Sequence, residues 1–146
     1  MMDGYPVVTI CGSSKFKDIM EQLYRQLSWA GFIVFGLGGY GHSGDDIIFR
    51  DPEIKSRLDC IHLVKIAHSD AIVVVNSGLY MGESTTNEVV FATSRGVDVY
   101  RLFTEEMPSP PKDNPDYLQD FVKRLVKEVV KARYAKQRAG RPSITL

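Results

Sequence analysis

Apolar residues along this chain fall into short β-branched runs that alternate with longer stretches of helical period. The run Asp70-Ala71-Ile72-Val73-Val74-Val75-Asn76 is continuous and β-branched, as a strand buried on both faces of a parallel sheet requires. Residues 6–11 and 32–37 read as two earlier strands, and residues 97–103 as a later one. Residues 15–30 carry Phe16, Ile19, Met20, Leu23, Tyr24 and Leu27 at helical spacing, and Gly31 stops that helix. Pro52, with Asp51 as its cap, opens a second helix that runs to about His68. Ser84 or Thr85 caps a third, which reaches Arg95 before Gly96 ends it. Residues 38–51 form a polar, glycine-rich loop, and residues 104–116, with Pro108, Pro110, Pro111 and Pro115, hold no regular element. A last amphipathic helix sets Leu118, Phe121, Val122, Leu125, Val129 and Ala132 on one stripe. Residues 1–136 therefore predict one α/β domain, a parallel sheet of four to five strands with helices on both faces plus the C-terminal helix, and residues 137–146 a flexible tail.

Composition narrows the partners only slightly. The 146 residues suit one domain with an adequate core, and 44% hydrophobic with 25% charged residues is ordinary for a soluble globular protein. Lys plus Arg equals Asp plus Glu at 18 each, so net charge names no partner. Cys11 in a strand and Cys60 in a helix form neither a disulfide framework nor a metal-ligand spacing; both read as structural, and a reducing cytoplasm suits them. No apolar run reaches the ~20 residues that span a bilayer, so no membrane partner is expected.

Several polar segments sit where ligands bind, beyond the carboxyl ends of parallel strands. Cys11-Gly12-Ser13-Ser14-Lys15 joins the first strand to the first helix, where backbone N–H groups, hydroxyls and a lysine suit a phosphate or ribose; a plain helix cap explains the same residues. Gly36-Leu37-Gly38-Gly39-Tyr40-Gly41 has the letters of a dinucleotide fingerprint but opens no helix, so it reads as a loop over the pocket and no cofactor is expected. His42, Asp45 and Asp46 lack a recognised metal spacing, and a solvated acidic loop accounts for them; no metal is expected. Tyr80-Met81-Gly82-Glu83-Ser84-Thr85-Thr86-Asn87-Glu88 runs from the buried strand into a helix and places Glu88 at the mouth of a pocket. Thr85 and Glu88 also have the spacing of a capping box, which alone would account for the carboxylate, while Glu83 with Glu88 suggests glycosidic chemistry. Asp59 and His62, three positions apart on a helix, either tune a proton-transfer group or form a solvent-facing helix edge with Lys65.

These residues resemble a known family. Ile10-Cys11-Gly12-Ser13-Ser14-Lys15-Phe16, Gly41-His42-Ser43-Gly44-Asp45, Leu58-Asp59-Cys60-Ile61-His62 with Lys65, Ile66 and Asp70, and Tyr80-Met81-Gly82-Glu83-Ser84-Thr85 with Glu88 are similar to motifs of the nucleoside 2-deoxyribosyltransferase-like proteins. The likeness spans residues 7–103. It implies a flavodoxin-like (Rossmann-like) sheet, shared with nucleoside 2-deoxyribosyltransferases and nucleoside 5'-monophosphate N-glycosidases, and cleavage or transfer at the bond between base and sugar. It implies Glu88 as nucleophile, with Asp59 and His62 orienting it or protonating the departing base, and Gly12, Ser13, Ser14, Lys15, His42, Asp70, Tyr80, Gly82 and Ser84 holding substrate. It also implies a homodimer or higher homo-oligomer, for which the stripe on the last helix offers a surface. Two positions depart from the pattern. His62 stands where relatives carry a supporting aspartate, and Glu83 where many have a smaller residue, which would repel a 5'-phosphate. A non-catalytic nucleotide-sensing module of the same fold is the alternative, and nucleic-acid binding through Lys123, Arg124, Lys127, Lys131, Arg133, Lys136, Arg138 and Arg141 is a third reading that a solvated helix face explains equally well.

Overall fold

The computed structural model describes residues 2–39, 47–78 and 80–139. Four parallel strands, β1 (Val7–Cys11), β2 (Ile33–Phe35), β3 (Ala71–Val74) and β4 (Asp98–Arg101), lie in the order β2-β1-β3-β4. β1 pairs with β2 from Val7 opposite Ile33, and with β3 from Val8 opposite Ala71 to Cys11 opposite Val74. This is the α/β parallel sheet that strand and helix alternation implied, with the strand order of a flavodoxin-like sheet. The crevice between β1 and β3 is its switch point.

Side-chain alternation along the central strands sends residues to two cores. Val8 and Ile10 of β1, with Ala71 and Val73 of β3, pack among Met20, Leu23 and Leu27 of α1 (Lys17–Trp29) and Phe121, Val122, Leu125 and Val129 of α5 (Tyr117–Ala139). Cys11, Ile72 and Val74 face the other way, onto Ile66 of α3 (Pro52–Ala67) and Ala92 of α4 (Glu83–Ser94). The stripe on α5 is thus consumed within the chain, because the sheet face beside α1 needs a cover; it does not remain as the self-association surface the sequence offered. The helix also continues through Ala139, past the start of the expected tail.

Local signals placed most boundaries within a residue or two. Asp51 caps α3 by accepting from the N–H groups of Glu53 (3.0 Å) and Ile54 (3.4 Å), with Pro52 at the first helical position. Two readings are corrected. Residues 47–50, read as loop, form the short helix α2 (Ile47–Arg50). The third long helix takes Gly82 as its cap rather than Ser84 or Thr85, so Thr85 and Glu88 make no capping box.

Asp70 also has a task other than the expected one. Its carboxylate accepts from the N–H of Val7 at 2.7 Å, stitching the start of β1 to the start of β3 at the end of the sheet away from the crevice. Charge-assisted bonds to a buried backbone donor contribute about 1.5–3 kcal/mol. Asp70→Ala should therefore lower unfolding stability by that amount in urea denaturation while leaving ligand affinity unchanged.

Candidate functional site

β1 and β3 end beside each other, and the segments that leave them wall a cavity of about 250 Å³. Gly12, Ser13 and Ser14 come from the loop after β1, Leu37, Gly38 and Gly39 from the segment after β2, Tyr80 and Gly82 from the segment between β3 and α4, and Ser84 and Thr85 from the first turn of α4. Lys55, Leu58, Asp59 and His62 of α3 form the side opposite, with Ile48 of α2.

A side chain from the neighbouring strand end braces the loop after β1. Asn76, just beyond β3, accepts from the N–H of Ser13 at 2.9 Å through Oδ1. A Cβ on Gly12 would stand 2.5 Å from that same oxygen and 2.9 Å from Cγ2 of Val75, and the Gly12 φ of 145° suits few other residues. Glycine at this place therefore lets the strand ends approach. Asn76 was not among the expected site residues; the signal was there, in a polar side chain closing an apolar strand at its carboxyl end.

Three elements converge on the cavity floor. Glu88 lies in the second turn of α4, clear of the helix N-terminus, and its Oε2 is buried without a hydrogen-bond partner. His62 of α3 brings Nε2 to 3.7 Å from that oxygen. The same nitrogen lies 3.5 Å from Sγ of Cys11, the last residue of β1. Cys11, read from the sequence as structural, is therefore part of this cluster. Nothing in a local pattern could have signalled it, because strand residues of this spacing are core by default. Burial pushes its thiol pKa well up, and the negative charge of Glu88 pushes it further in the same direction.

The remaining expected residues divide. Gly12, Ser13, Ser14, Tyr80, Gly82 and Ser84 line the cavity. Tyr80 stands exposed at its rim, its ring 6.5 Å from that of Phe16. Lys15 is not a lining residue; its ammonium rests over the Tyr80 ring at 4.9 Å. Asp59 and His62, neighbours in sequence, separate on the helix surface: His62 turns inward, while Asp59 lines the outer side and binds Nζ of Lys55 at 2.7 Å. Lys65 does not join them and instead donates to the carbonyl of Gly36 at 2.9 Å. His42, Asp45 and Asp46 lie outside the described residues. Among the described lining residues Asp59, Glu83 and Glu88 are acidic and Lys55 basic, so the cavity wall carries more negative than positive charge.

Fold and site together define a class: a parallel α/β domain with a cavity at the switch point of its sheet and a half-buried carboxylate on the cavity floor. No family model matches the chain, and no curated protein matches it in sequence. Among solved structures, the CMP N-glycosidase BcmB of Clostridium botulinum is similar, at 18% identity over 78% of this chain and 80% of that one, with a TM-score of 0.46. No helix among the described residues is long and apolar enough to cross a membrane.

The cluster has a direct chemical readout. At about pH 8 a thiol reagent should modify exposed Cys60 and spare buried Cys11 in the folded protein. In a Cys60→Ser background, Glu88→Gln should lower the alkylation midpoint of Cys11, since what the carboxylate contributes is gone while burial, the largest cause, remains, yet leave it above that of a free thiol. An unchanged midpoint would mean that the carboxylate does not act on the sulfur.

Proposed function

We propose that this protein cleaves or transfers the N-glycosidic bond of a nucleoside or nucleoside 5'-monophosphate, with Glu88 as nucleophile. The observation that carries the reading is the Glu88 carboxylate itself, free of any capping duty, on the floor of a cavity at the sheet's switch point. A carboxylate so placed can attack the anomeric carbon C1' as the bond to the base breaks, giving a covalent glycosyl-enzyme and a base that leaves with the bonding electrons. Water or a second base then attacks C1' and frees Glu88. His62, 3.7 Å from the carboxylate, orients it; Asp59 and Lys55 stand on the outer side, where the departing base takes up its proton. The loop of Gly12, Ser13 and Ser14 and the start of α4 at Ser84 hold the sugar and its 5' substituent. The sequence resemblance supports the same assignment, and a homo-oligomer belongs to this reading through that resemblance.

A second reading keeps the pocket and drops the chemistry. It is favoured by His62 standing beside Glu88 where relatives carry an aspartate, which leaves Asp59 paired to Lys55 at the solvent side. Incubation with a panel of nucleosides and 5'-monophosphates, followed for free base and for thermal stabilisation, separates the two. Release of base by the native chain, reduced on the order of 10³-fold or more in Glu88→Ala with its fold intact, is the outcome expected. Stabilisation without any free base would establish the sensor, and undiminished base release by Glu88→Ala would remove the nucleophile.

Charge on the wall sets a preference among substrates. Glu83 opens α4 next to Ser84, where a 5'-phosphate would sit. One exposed charge at such range is worth up to about 1 kcal/mol. Glu83→Ser should raise the kcat/KM for a 5'-monophosphate relative to its nucleoside by about fivefold, an effect that added salt reduces.

A further inference from the structure

We propose that Cys11, His62 and Glu88 form a three-ligand site for a divalent cation of the zinc class, set in the cavity floor with its fourth position open to the pocket. Each residue offers one ligand atom, and the three atoms lie within 4.8 Å of one another. The Sγ to Nε2 distance is 3.5 Å and the Nε2 to Oε2 distance 3.7 Å. A tetrahedral zinc ion, bonded at ~2.3 Å to sulfur and ~2.0–2.1 Å to nitrogen and oxygen, spaces its ligand atoms by roughly 3.3–3.6 Å. The side chains are thus already near coordinating separation, and small rotamer shifts complete the geometry.

Ligand chemistry selects the metal. Thiolate, imidazole and carboxylate make a borderline set that suits zinc or cobalt, whereas calcium and magnesium take oxygen ligands. Charge selects it too: a thiolate and a carboxylate balance a divalent ion, so the bound site is neutral in a place where an isolated charge is costly. A separate observation points the same way. Oε2 of Glu88 is a buried acceptor with no hydrogen-bond partner, and His62, 5% exposed, aims Nε2 at it from a distance too long for a hydrogen bond. A cation among the three would give Oε2 its missing partner and take the place of the 3.5 Å contact between Nε2 and Sγ of Cys11.

Binding forms metal–sulfur, metal–nitrogen and metal–oxygen bonds, displaces the thiol proton of Cys11 to solvent and involves no change of oxidation state. Its effect on turnover rests on the function proposed above: a Glu88 oxygen that donates its lone pair to a metal cannot attack C1', so zinc holds the enzyme off and a chelator restores it. The binding itself does not rest on that function.

Cobalt is the probe. The chelator-treated full chain carrying Cys60→Ser, which removes the exposed competing thiol, is titrated with Co²⁺. We expect one equivalent to bind with a thiolate-to-cobalt charge-transfer absorption in the near ultraviolet, which zinc then displaces. Cys11→Ser should abolish that absorption, and Glu88→Gln, which preserves shape, should weaken affinity by about tenfold or more. Absence of the charge-transfer absorption, or its survival in Cys11→Ser, would overturn the site. Zinc bound at one equivalent with base release unchanged would overturn its inhibitory role. A metal-free chain that releases no base fails the glycosidic reading instead, and the cobalt result stands apart from it.

Discussion

Parallel pairing of β1 with β3 decides where everything else in this protein goes. Because the two strands run side by side from Val8 and Ala71 to Cys11 and Val74, both chains leave the sheet at the same end. The helices that follow them pack on opposite faces, α1 on one and α4 on the other, so a crevice opens where they part. Asp70 holds the far end of this pair through Val7, and Asn76 holds the near end through Ser13. One bond thus keeps the strands in register at their start, and the other shapes the cavity-lining loop at their finish.

The alternation of side chains along β1 has a chemical consequence as well as a packing one. Val8 and Ile10 enter the core under α1 and α5, which sends Cys11 to the face where α3 and α4 cross above it. His62 and Glu88 arrive from those two helices. A strand one residue shorter would present no side chain there, and one shifted by a residue would turn the thiol into the opposite core. The cluster is therefore a product of register, held by backbone pairing on a central strand that has neighbours on both sides.

Polar groups on the cavity floor are costly where they lack partners, and proteins keep such groups at sites where a ligand supplies the missing contact. Glu88 and His62 fit that pattern, whether the contact comes from a sugar or from a metal. The proposed sugar and the proposed metal call on the same carboxylate, so binding of one would exclude the other.

Much of the architecture was legible from the residues in order. β-Branched runs marked the strands, helical spacing of apolar residues marked α1 and α5, and Asp51 with Pro52 marked the start of α3, because each of these signals acts between positions close along the chain. That the segments around Gly12 and Ser84 line a crevice could be read as well, since strand ends in parallel sheets carry loops of that composition. The start of α4 was misplaced by two or three residues because Gly82 caps it with its backbone and gives no side-chain cap bond. Asp70 was misassigned because a carboxylate beside a strand looks alike at either end of the sheet until the pairing partner is known. Sequence alone settled the strands, the long helices and their order, though not the short helix α2. Only the folded chain decided that Cys11 and His62, 51 positions apart, meet Glu88, because that meeting depends on strand register and on how α3 and α4 rotate about their axes as their apolar residues pack, and neither is encoded in local spacing.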